Sequence, residues 1–95
     1  MADDRVDTPE RVGPVLQAGA VADAIVAAIE QLNTGAVVVE RGAYRRVLVP
    51  QRCVVTRSAI EEHLGHTIRF PGDLEKVMPS FKGRLTLTAE RAEWR

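Results

Sequence analysis

The chain has 95 residues, in which 13 Lys and Arg balance 13 Asp and Glu; 45% are apolar and 4% aromatic. That length supports one domain around one modest core, and the apolar fraction excludes a disordered chain. Zero net charge counts against a dedicated nucleic-acid or anionic-membrane binder, and so few aromatics count against a base-stacking platform. Cys53 is the single cysteine, so no internal disulfide can form and a reducing compartment is expected. The opening MADDRVDTPER lacks the apolar region of a signal peptide. No apolar run approaches the roughly 20 residues that span a bilayer. A cytoplasmic protein is expected.

Residues 1–11 carry Asp3, Asp4, Asp7 and Glu10 and read as a mobile tail, leaving 12–95 as the single domain. Val12 to Leu16 reads as a short strand, and Pro14 suits an edge position. Val21, Ile25, Ala28, Ile29 and Leu32 then recur as one stripe of an α-helix. Gly19 is its predicted N-cap, and Asn33-Thr34-Gly35 stops it. The Val run from Ala36 to Glu40 predicts a strand, with Arg41-Gly42 as its turn.

The stretch from Ala43 to Gly65 reads as strand, tight break, strand and capped helix. Tyr44, Arg46 and Leu48 fall on one face of its first strand; Arg45, Val47 and Val49 fall on the other. Pro50 stops that strand, and Cys53-Val54-Val55 starts the next. Thr56 or Ser58 can cap the helix, Ser58 with Glu61 as a capping box, and Gly65 ends it. Pro71-Gly72 signals a loop. Asp73 can cap a short helix holding Leu74, Val77 and Met78, ended by Pro79. Ser80 to Gly83 reads as a loop. Leu85 and Leu87 alternate with Thr86 and Thr88 in a half-buried strand, and after a turn at Glu90-Arg91 a last strand holds Trp94. The order β-α-β-β-β-α-α-β-β describes an α+β domain of antiparallel hairpins with helices packed on the sheet.

Motifs for chemistry are scarce. There is no G-x-G-x-x-G, no Walker loop and no C-x-x-C. His63 and His66 are three apart, but Gly65 between them ends the helix, so they need not share a face and read as exposed polar residues. The residues three before them are Ile60 and His63, so the Glu-x-x-His of a carboxylate-bridged di-iron site is missing. Nothing positions a Ser-His-Asp triad. Arg41, Arg45, Arg46, Arg52 and Arg57 follow one another with no acid between them, as either a solvated sheet face or a docking patch for an acidic protein surface. Nucleic acid is a weaker partner for that patch. Phe81, in its Pro/Gly-bounded loop, is either a satellite of the core or an exposed interface anchor.

Several pieces together resemble one family. They are Val12-Gly13-Pro14, the helix end at Asn33, Gly42-Ala43-Tyr44 leading into a strand, Ile60-Glu61-Glu62-His63-Leu64-Gly65, and Ser80-Phe81-Lys82-Gly83 before two final strands. In order and spacing the chain, from Arg11 to Trp94, resembles the effector (coupling, or regulatory) proteins of soluble bacterial di-iron monooxygenases. The resemblance implies a non-catalytic protein with no metal and no organic cofactor. It implies binding to a separate di-iron hydroxylase, faster oxygen activation, coupling of NADH use to product formation, and tuned substrate access. It also implies an NADH-dependent reductase, in some systems with a Rieske ferredoxin, and a free effector that is a monomer. Val77, Pro79, Ser80 and Phe81 match the loop that lies on the hydroxylase in relatives; Asn33, Tyr44, Arg45 and Arg46 are carried over as further interface residues. The short segment before Val12 favours a toluene, alkene or phenol system over a methane system. Arg45 departs from the apolar or aromatic residue expected there, and Pro79 and Phe81 replace smaller polar residues of some relatives.

Overall fold

Residues 10–95 are described by a computed structural model, in which two antiparallel sheets meet at a common core. The first sheet has the order β2-β3-β1-β5: β1 is Arg11–Gln17, β2 Val37–Arg41, β3 Tyr44–Pro50 and β5 Ser80–Lys82. The second has the order β4-β7-β6, from Cys53–Thr56, Arg91–Trp94 and Leu85–Leu87. Helices α1 (Ala20–Leu32), α2 (Arg57–Leu64) and α3 (Gly72–Val77) complete the described residues. The α+β class and antiparallel pairing are as expected, but the expected single sheet is two. Expectations for the tail at 1–9 lie outside the described residues, and β1 already begins at Arg11.

The core follows the alternation of the strands. Val12 and Leu16 of β1, Val47 and Val49 of β3, and Cys53, Val55, Ala92 and Trp94 of the second sheet are buried together with Ile25, Ile29, Ile60 and Leu74. In α1 the buried set is Ala22, Ala24, Ile25, Val26, Ala28 and Ile29, broader than the expected stripe; Val21 is only half-buried and Leu32 is exposed. The breadth arises because α1 meets both α2 and β4, and its alanines let the helices approach closely.

Three local corrections follow from backbone chemistry. β1 is an inner strand, not an edge, although it contains Pro14. Its ladder to β3 pairs Arg11 and Val12, then Val15 to Gln17, and lapses at Gly13 and Pro14 in between. The missing proline N–H therefore falls where no bond to β3 is asked of it. Ser80–Lys82 is strand β5 rather than a loop, attached to β1 at Val15 and at Gly13 and Pro14, the two residues where the β3 ladder lapses. The first hairpin turns on Gly42-Ala43 instead of Arg41-Gly42, with Arg41 opposite Tyr44 and Gly42 at φ 58°, the left-handed conformation its first turn position needs.

Helix ends are settled by hydrogen bonds. Thr56, not Ser58, caps α2: its hydroxyl accepts from the Ala59 N–H at 3.2 Å. Glu61 does not close a capping box; it accepts from the Ile68 N–H at 2.9 Å and ties down the following loop. Gly65 ends α2 at φ 91°, as expected. Asp73 lies inside α3 rather than at its cap, and its carboxylate accepts from the Arg69 N–H at 2.9 Å.

Candidate functional site

Paired residues of neighbouring strands share a face. In the four-stranded sheet the row Val39–Arg46–Val15–Ser80 therefore lies on one face, together with Arg41, Tyr44, Gln17 and Lys82. The core lies on the other face, as buried Val12, Leu16, Val47 and Val49 show. The first face is uncovered by any described element. Tyr44 is 43% exposed, while Val15, Val39 and Leu48 are half-buried there. A sheet face that keeps apolar side chains without a layer over them is suited to protein contact.

The structure separates the expected site residues. Tyr44, Arg46 and Ser80 share this open face. Phe81 points the other way, in line with Pro14, but sits on the edge strand beyond the core and is 44% exposed. Val77 ends α3 and is half-buried, and exposed Pro79 leads from it into β5. Residues 77–81 thus form a continuous corner beside the open face. Arg45 lies on the core side of β3 and ion-pairs with Asp23 of α1. That pairing explains how an arginine stands where an apolar residue was expected.

Asn33 is engaged internally. Its amide nitrogen donates to the carbonyls of Ile29 (2.7 Å) and Val54 (2.8 Å), and its amide oxygen accepts from the Val54 N–H at 3.0 Å. It closes α1 and covers the free edge of β4, so it works as a clamp between helix and sheet. Asn33→Ala is expected to destabilise the free protein by about 1–3 kcal/mol in chemical denaturation. A stability equal to the parent would return Asn33 to a purely external role.

The arginine run is not one patch. Arg41 and Arg46 face out from the first sheet, Arg45 reaches Asp23, Arg52 ion-pairs with Glu93, and Arg57 meets Glu90 at 2.9 Å. Hydrogen bonds from Arg52 and then Arg95 hold the Glu93 carboxyl below its ordinary range.

Groups with chemical potential are occupied. A groove of about 300 Å³ between α1 and α2 is lined by Ala20, Asp23, Ala24, Ala27, His63 and Leu64. Asp23 there is held by Arg45, and His63 Nε2 lies 2.7 Å from Gln31 Oε1. His66 Nδ1 lies 2.9 Å from the Thr67 carbonyl oxygen. Burial pushes the Cys53 thiol up to about 12, so it holds its proton at neutral pH and is a poor nucleophile. Among the described residues no group of three or more His, Cys, Asp or Glu could hold a metal ion, and no helix is long and apolar enough to cross a membrane. The half-buried Val15 and Val39 and the exposed Lys82 of the open face escaped sequence reasoning: alternation sorts a strand into two faces without saying which one the helices leave bare.

Comparison with known proteins gives likenesses of family, sequence and fold. The MmoB/DmpM family matches residues 10–95. The effector subunit of the alkene monooxygenase system of Xanthobacter autotrophicus is 39% identical over 85 residues, which are 87% of this chain and 83% of that protein. A chain of a phenol hydroxylase–regulatory protein complex superposes with a TM-score of 0.78 at 19% identity, covering 90% of this chain and 95% of that one. The last likeness is one of fold.

Proposed function

The chain belongs to the MmoB/DmpM family, and from that premise we propose that it is the effector subunit of a multicomponent hydrocarbon monooxygenase of alkene or phenol type. The observation that carries this reading is the 39% identity to an alkene monooxygenase effector over most of both chains. In this reading the protein is not itself a catalyst. It binds the di-iron hydroxylase of its system, which receives electrons from an NADH-dependent reductase, directly or through a Rieske ferredoxin. Bound there, it promotes oxygen activation, couples NADH use to product formation and tunes substrate access. The corner formed by Val77, Pro79, Ser80 and Phe81 is the proposed contact, with Tyr44 and Arg46 beside it on the open sheet face. Arg45 and Asn33 serve that surface by fixing β3 and β4 to α1.

Such an effect needs no reactive group on the effector. A protein that binds one conformer of the hydroxylase better than another shifts the hydroxylase toward it, and can do so only by that difference in affinity. Coupling free energies of about 1–3 kcal/mol correspond to roughly 5- to 150-fold shifts. A firm scaffold with an exposed apolar corner can supply a difference of that size.

The test is a titration of the purified hydroxylase and its reductase with this protein, following product and NADH together. Product per NADH is expected to rise and to saturate near one effector per active site. No change at any ratio with the hydroxylase of the same cells would overturn the proposal.

A further inference from the structure

The second sheet has an open face of a different kind. β4, β7 and β6 pair Cys53 with Trp94 and Leu85, and Val55 with Ala92 and Leu87, all on the core side. The opposite face carries Val54, Glu93 and Thr86 in one row. One step along the strands, Arg84 and Arg95 exchange both backbone hydrogen bonds at 2.9 Å, so they stand directly opposite each other. Arg52 precedes Cys53, the partner of Trp94, and therefore stands on the other side of Arg95. Arg52, Arg95 and Arg84 are thus abreast just beyond the ends of three strands, and Arg91 lies two residues from Glu93 on the same face. All four arginines are exposed.

Like charges directly across a sheet repel. Among the described residues one carboxylate side chain answers this group: Glu93, which ion-pairs with Arg52, lies 3.0 Å from Arg95 Nε and 3.8 Å from an Arg91 guanidinium nitrogen. Three guanidinium groups share the Glu93 carboxylate and Arg84 stands opposite Arg95 in the same row, which leaves a local positive charge. The zero net charge of the chain conceals it, because most acids lie elsewhere in the sequence: Asp3, Asp4, Asp7 and Glu10 near its start, Asp23 and Glu30 on α1, Glu61 and Glu62 on α2, Asp73 and Glu75 on α3.

We propose that this arginine face is a second contact surface of the effector and receives a carboxylate-rich patch of its hydroxylase. The inference rests on the effector reading above. Carboxylate is the favoured partner because Arg52, Arg91 and Arg95 already hold one, and the planar fork of arginine matches it in two-point pairing. The rows between the arginines hold Thr86 and Val54, which offer no aromatic platform for a nucleic-acid base. The face is also continuous with the proposed contact corner. From Phe81 the chain needs only Lys82 and Gly83 to reach Arg84. Gly83 packs so closely between Val12 and the Arg95 carbonyl that a Cβ there would lie 2.8 Å from Val12 Cγ1 and 3.0 Å from that oxygen. The corner and the arginine row are therefore joined by a tightly packed turn into one surface, an apolar anchor with a charged flank that steers docking.

The test compares three effectors on one hydroxylase: the parent, Arg84→Gln with Arg91→Gln, and Arg84→Glu alone. Each is titrated at low salt and near 1 M salt, where the screening length falls to about 3 Å. At low salt both variants are expected to need about fivefold more protein for half-maximal stimulation, with the same maximum. At high salt the difference is expected to collapse. Arg84 is exposed, so Arg84→Glu keeps the test open should the double variant fold poorly. A parent that stimulates alongside folded variants that titrate identically at low salt would overturn this inference and leave the effector reading intact. A parent that does not stimulate at all would overturn both. Steep salt-dependent binding of the parent to double-stranded DNA, lost in the variants, would replace the carboxylate partner with a phosphate one.

Discussion

Gly13→Ala is expected to lower the thermal midpoint by roughly 15–30 °C, the equivalent of about 3–5 kcal/mol for a domain of this size. Gly13 has φ 148°, a conformation that side chains with a Cβ rarely adopt, and forcing one there costs about 1–3 kcal/mol. The space is also taken. A Cβ would overlap the carbonyl oxygen of Val47 and lie 3.1 Å from its carbonyl carbon. That obstacle is backbone in β3, which cannot rotate away as a side chain can, and overpacking of this kind costs a further 1–3 kcal/mol or so. The whole fold has only about 5–14 kcal/mol to lose. Trp94, the single tryptophan and fully buried, reports the unfolding by its fluorescence. Gly72→Ala is the matched control, since a Cβ at Gly72 meets nothing within 4 Å and its φ is ordinary. The control is expected to unfold near the parent. A Gly13→Ala midpoint within a few degrees of the parent would mean that β1 and β3 do not approach so closely.

The same glycine shows why the sequence described the strands better than their neighbours. Val12-Gly13-Pro14 reads as a strand with a proline tolerated only at an edge. The chain instead relaxes the β1–β3 ladder for two residues and attaches β5 there, an arrangement no local pattern announces. β5 itself was illegible for the same reason: three exposed residues after a proline carry no periodicity, and only the partner strand makes Ser80–Lys82 a strand. Patterns with strong local chemistry were legible, including the α1 boundaries, the Thr56 alternative for capping α2, the left-handed Gly65, and the alternation of β3 and β6. The break at Pro50 was visible, but not its consequence. Gln51 at φ 69° turns the chain from one sheet into the other.

For the site, residue types were legible and groupings were not. Five arginines in a row suggested one patch, yet strand alternation and two sheets send them to different faces and partners. The arginines that do stand together, Arg52, Arg84, Arg91 and Arg95, lie at the ends of three strands and span more than 40 positions of sequence. Asn33 was singled out by its place at a helix end, but the Val54 backbone it clamps is 21 residues away.

Phe81→Ala is expected to raise the effector concentration for half-maximal stimulation about 5- to 30-fold while leaving the fold intact. The ring sits on an edge strand and is 44% exposed, so the free protein gains little from it. Fully burying a phenylalanine side chain stabilises by about 1.5–3 kcal/mol, and roughly half of that remains to be gained on docking. A well-packed anchor adds to the transfer term, which brings the truncation cost to about 1–2 kcal/mol. A ring that served binding alone would shift the titration and leave the maximum unchanged. A ring that selects one hydroxylase conformer must do more, because saturating effector would then no longer populate that conformer fully. Product per NADH at saturation is therefore expected to fall, and product distribution to change, beyond what added protein can restore. A folded Phe81→Ala variant that matches the parent in titration, maximum and products would remove the corner from the contact and leave the open sheet face to carry it.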